Sequence, residues 1–181
     1  KMLLYERERE RDISLKEYPR LSYRQQTSFL KAIAYWLQKN GKSEVEQSRV
    51  ESRIAHALKS MPDLRDNIEP RDVLRLLKDR SGILVEPTVA TVAFTHQTFQ
   101  EYFAAQAIVE EEDDIGLVVN RAHDRQWRET IILTAGLAKP SQRREIIHGI
   151  VARGDEELEL RHYLHLLAIS CLEIVTELAP E

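Results

Sequence analysis

Residues 83–94, ILVEPTVATVAF, mark where the chain leaves one periodicity for another. ILVE and VATVAF are apolar and β-branched and flank Pro87-Thr88, so the spacing predicts two short strands of a hairpin. Upstream the pattern is helical. After a break at Pro19 and a candidate N-cap at Ser22, residues Phe29, Leu30, Ile33, Ala34 and Leu37 share one face, and Asn40-Gly41 supplies a stop. A second helix is expected from Glu46 to Met61, with Val50, Ile54 and Leu58 in a stripe and Pro62 at its end. A third opens at Pro70 and carries Val73, Leu74, Leu76 and Leu77 to Ser81-Gly82. Three helices followed by a hairpin make a winged-helix arrangement.

Beyond the hairpin the chain returns to helical spacing. FTHQTFQEYFAAQAIV pairs Phe99 with Phe103 at i,i+4, and either Thr95 or Thr98 can cap it, Thr98 standing at capping-box spacing from Glu101. The acidic run Glu110 to Asp114 reads as an exposed linker rather than a cation site. Helices then follow over about 125–138, 141–152 and 156–178, parted by Lys139-Pro140 and Gly154-Asp155. The expected fold is mainly α: a winged-helix domain with a small hairpin wing over 21–112, then a helical bundle or solenoid-like domain over 113–181. Residues 1–20, with Glu6/Arg9 and Glu8/Arg11 at helical spacing, read as the tail of a preceding helical domain and a linker. The chain opens on Lys1 without a cleavable leader and reads as a piece of something larger.

Composition narrows the function classes. A net charge of -4 provides no global field for nucleic acid. The longest apolar run, LLAISCLEIV, is interrupted by Ser170 and Glu173 and falls short of the roughly 20 residues a membrane helix needs. The single cysteine, Cys171, can form neither an internal disulfide nor a cysteine-based zinc site, which fits a cytoplasmic protein. No phosphate loop and no nucleophile elbow occurs, so this segment is expected to be neither an enzyme nor a holder of its own cofactor. Cys171 lies among apolar residues in a helix, where a thiol is a packing group. His162 and His165 lie three apart without the further ligands of a metal site, and His56, His123 and His148 are isolated. His96 stands apart because it sits within one turn of a helix start, where unpaired N–H groups and the helix dipole attract anions and an imidazole can donate to a phosphate oxygen.

FTHQTFQEYFAA closely resembles the signature near the end of the winged-helix domain in NACHT-type signalling NTPases, the STAND class that includes NOD-like receptors. LLYERERERD, LSYRQQTSFLKAIAYWLQKNG, VLRLLKDRSGILVE and QWRETIILTAGL are similar, in order, to the preceding helix, the first helix, the third helix with the first strand, and a following tryptophan-bearing helix. The resemblance spans residues 2–140 and implies an upstream NACHT ATPase domain in cis, which binds ADP or ATP with Mg. It implies a histidine, here His96, that contacts the β-phosphate of ADP in a closed resting form, and oligomerisation on activation. Thr98, Gln100 and Glu101 would support the motif helix. A role in antiviral defence is an expectation of the same resemblance.

Two other readings stand beside it. One is a helical protein-interaction scaffold, favoured by apolar residues on more than one side of the last helix. The other is a DNA-binding winged helix using Arg71, Arg75, Lys78 and Arg80, against which Asp72, Asp79 and a wing without basic residues weigh.

Overall fold

The computed structural model describes residues 18–178, and the expected helix tail at the start of the chain lies outside them. Two compact units divide the chain, one running to Gln100 and the other starting at Glu101. The expected boundary at residue 112 lies beyond this division, at the end of a π-helical turn, Ile108–Glu112.

In the first unit, α1 spans Tyr23–Lys39. Ser22 caps it: its hydroxyl accepts from the Gln25 N–H at 3.3 Å and its own N–H donates to Gln25 Oε1 at 2.8 Å. At the other end Gly41 adopts φ 60°, and Lys42 N–H donates back to the Leu37 carbonyl at 3.0 Å, a left-handed stop that favours glycine. Strand β1 (Glu44–Glu46) leads directly into α2 (Gln47–Leu58), followed by the single turn α3 (Pro62–Arg65) and by α4 (Pro70–Asp79). The hairpin is formed by β2 (Leu84–Val85) and β3 (Thr91–Phe94).

The sheet order is β1-β3-β2, entirely antiparallel, with Val45 opposite Val92 and Leu84 opposite Phe94. Phe29, Leu30, Ile33, Leu37, Val50, Ile54, Val73, Leu74, Leu77, Leu84 and Val92 are all buried and form the core that α1, α2, α4 and the sheet close around. The wing is pinned at its base. Glu86 accepts from Lys78 Nζ at 2.9 Å and from the Ala90 N–H at 3.0 Å, while Ala90 holds φ 62° in a region costly for a residue with a Cβ.

The second unit is helical. Helix α5 (Gln97–Ala107) runs across the division and ends in the π-helical turn; α6 (Ile115–Asn120), a 3₁₀ turn at Arg125–Trp127, α7 (Arg128–Leu137), α8 (Pro140–Glu156) and α9 (Arg161–Leu178) follow. Helix α9 packs on α7 and α8, and α8 packs on α6 and α7. Trp127, Ile131, Ala135, Ile146, Ile150, Leu164 and Cys171 fill the core. Short loops leave helix C-termini with unmatched carbonyls, and three arginines meet them. Arg153 donates to Val119 and Asn120 at the end of α6, Arg143 to Ala135 and Ala138 at the end of α7, and Arg161 to Gly154 and Asp155 near the end of α8. Leu158, Leu166, Ile169 and Leu172 remain exposed.

Several elements differ from expectation. Strand β1, the turn α3 and helix α6 were not foreseen; α9 starts at Arg161 rather than 156, and the acidic run forms the π-helical turn and its exit, where Asp113 turns left-handed at φ 47°.

A Cβ at Gly149 would lie 2.8 and 2.9 Å from the two methyl groups of Val119, whose helical χ1 has little freedom. Gly149→Ala is expected to cost about 1–3 kcal/mol by overpacking, and Val119→Ala in the same chain to recover part of it, as read by urea unfolding. Hydrogen bonds from Lys78 and then from the Ala90 amide hold the Glu86 carboxyl below its ordinary 4.5. A depressed folded value means that this contribution is present above the unfolded value and is lost as pH falls through the folded one. NMR should show Glu86 titrating below 4.5, with the Ala90 amide shift following the same midpoint.

Candidate functional site

The site is built where β3 hands over to α5. Ser81 accepts from the Ile83 N–H at 3.1 Å, and Gly82 takes φ 64°, bringing the chain into the hairpin beside the end of α4. On the return, the Thr95 N–H donates to the Ile83 carbonyl at 2.8 Å and the Thr95 hydroxyl to the Gly82 carbonyl at 2.7 Å. Thr95 therefore closes the hairpin. The helix begins two residues later, with the Phe99 N–H bonded to the His96 carbonyl at 3.0 Å. His96 thus holds the cap position, and the capping role considered for Thr98 is corrected: Thr98 lies inside the first turn and is exposed.

The His96 side chain is exposed, its ring 5.8 Å from that of Phe99 and tilted by 48°. It is not a histidine sealed in its own core. The first turn of α5 carries no acidic residue, so no carboxylate of that turn offsets the positive end of the helix. Gln100 is buried, and its Nε2 donates to the Lys42 carbonyl at 3.0 Å and to Gln38 Oε1 at 3.3 Å. Those bonds tie the start of α5 to the end of α1 and the loop after it. Glu101 is also buried, at 6% exposure, as the first residue of the second unit.

Residues 6–108 match the family described as the winged helix-turn-helix domain C-terminal to NACHT. The chain belongs to this family. No curated protein and no solved structure matches it. Membership makes the NACHT domain the partner in the same polypeptide, with this winged helix as its non-catalytic neighbour.

Other candidates in this NACHT-associated chain find simpler roles. Burial pushes the Cys171 thiol up to about 12, with Arg128 pulling less strongly the other way, so it stays protonated and packs. His162 is exposed, while His165 Nε2 lies 3.2 Å from Asp155 Oδ1 without the alignment of a hydrogen bond. No cluster of three or more metal-ligating side chains occurs among the described residues. Nor, among these residues, is any helix long and apolar enough to cross a membrane. Of the cations on α4 and just beyond it, Lys78 is bound to Glu86, and Arg75 and Arg80 lie over the Tyr18 ring at 5.1 and 4.8 Å. Tyr18 in turn donates to Asp79 at 3.1 Å.

Exposure and burial separate the two motif residues experimentally. His96→Ala should change folding stability by no more than about 0.5 kcal/mol, whereas Gln100→Ala should cost about 1–3 kcal/mol, both measured by denaturant unfolding.

Proposed function

We propose that this segment is the regulatory winged helix of a NACHT signalling ATPase, packing on the nucleotide-binding domain and biasing it towards the ADP-bound resting form. The observation that supports this reading best is the exposed imidazole of His96 at the cap of α5, in a chain of the NACHT-associated family. A phosphate at that position would meet an N–H donor from the ring and the positive end of a helix. Gln100 acts one step back, as the positioning residue that keeps the helix start in place.

The physical logic is a difference in affinity. A contact made to ADP in the closed form and lost in the open form shifts the equilibrium between them by its own free energy. A hydrogen bond to a charged phosphate contributes about 1.5–3 kcal/mol, a bias of roughly tenfold or more. Exchange for ATP would remove the contact, release the winged helix and permit oligomerisation; a cytoplasmic defence pathway is the setting this reading favours.

In the NACHT-containing protein, His96→Ala is expected to speed release of a fluorescent ADP analogue by about tenfold and to raise basal signalling, with the fold unchanged. Release at the parental rate would remove His96 from nucleotide sensing.

A further inference from the structure

Two guanidinium groups on the outer flank of α2 have no acidic partner among the described residues. Arg49 and Arg53 are exposed, stand one turn apart on the same helix, and neither makes an ion pair among the described residues. The single acidic residue of α2, Glu51, lies on the other flank, where Gln47 Nε2 donates to it at 2.9 Å. Three other arginines, Arg143, Arg153 and Arg161, are used internally at helix ends.

The pair does not stand on a bare helix. The Arg53 guanidinium lies 5.3 Å from the ring centre of Trp36, which α1 presents half-buried where it packs against α2. Beside it, Lys39 Nζ lies 5.1 Å from the ring centre of Tyr35 and bonds its hydroxyl at 3.0 Å. Stacking on an indole holds a guanidinium in place while its N–H groups remain available to a further partner. Tryptophan, tyrosine and arginine are also the residues most enriched where protein partners gain their binding energy.

We propose that this corner of the winged helix, formed by Trp36, Arg49 and Arg53, is a docking surface for an acidic protein segment. The segment is helical and carries carboxylates one turn apart. Side chains at i,i+4 on a helix stand about 5–6 Å apart at Cβ, so such carboxylates match the spacing of Arg49 and Arg53. Each carboxylate can take the two parallel N–H donors of a guanidinium. Two cations in a chain of net charge -4 are few for nucleic acid, whose binding proteins neutralise about 6–10 phosphates.

The test uses the full chain and a fluorescein-labelled helical peptide with glutamates at i,i+4 and leucines on the adjoining face. The comparison ligands are the same peptide with glutamine for glutamate, and an oligothymidine. Anisotropy is expected to show saturable binding of the glutamate peptide at low salt, weaker as salt rises, and reduced about tenfold or more in R49E/R53E. Trp36→Ala should also weaken it, whereas R144E, at an exposed site on α8, should not. Far-UV circular dichroism checks the fold, and R49Q/R53Q replaces the charge reversal if that variant unfolds. Absence of binding, equal binding of the glutamine peptide, full binding by the double variant, or tighter binding of oligothymidine would each overturn the proposal.

Discussion

The buried amide of Gln100 is the constraint on which the candidate site rests. Its two hydrogen bonds, to the Lys42 carbonyl and to Gln38, join the first turn of α5 to the far end of α1. A polar side chain taken out of water needs such partners, so the pairing is demanded by burial as well as by geometry. With that turn held, His96 stands just ahead of the helix, and its side chain is exposed.

Around this joint the winged helix is assembled by local devices of modest strength. The capping box at Ser22, the left-handed stop at Gly41 and the Ser81-Gly82 turn each fix where an element ends. The wing adds a carboxylate that serves two donors. In the helical unit the same task falls to arginines that reach back to the carbonyls of an earlier helix end. Guanidinium groups suit it because they carry several donors and charge that complements a helix C-terminus.

Features that depend on neighbours in sequence were legible in advance. The stripe through Phe29, Ile33 and Leu37, the proline at the start of α4, and the hairpin of β-branched residues all follow from spacing and residue type. Strand β1 was not, since Glu44-Val45-Glu46 is too short to announce itself and becomes a strand only by pairing with Thr91–Ala93 far along the chain. The cap of α5 misled for a related reason: Thr95 and Thr98 both suit a helix start, but the bond from Thr95 to Gly82 commits Thr95 to the hairpin, and Thr98 lies inside the first turn, which leaves His96 at the cap. His96 was found through a motif, whereas the partners of Gln100 and the stacking of Arg53 on Trp36 are tertiary and left no local pattern. The helix-capping arginines were missed likewise, because an arginine pattern alone does not say which carbonyl lies within reach.

The chain has two tryptophans, and the fold assigns one to each compact unit. Trp127 is almost wholly buried, whereas Trp36 is half-buried beneath a guanidinium. A guanidinium lies over each ring, Arg121 over Trp127 and Arg53 over Trp36, but the two indoles differ in their access to water. Each half of the polypeptide consequently carries its own intrinsic optical label, so that loss of order in either can be followed separately without attaching a dye.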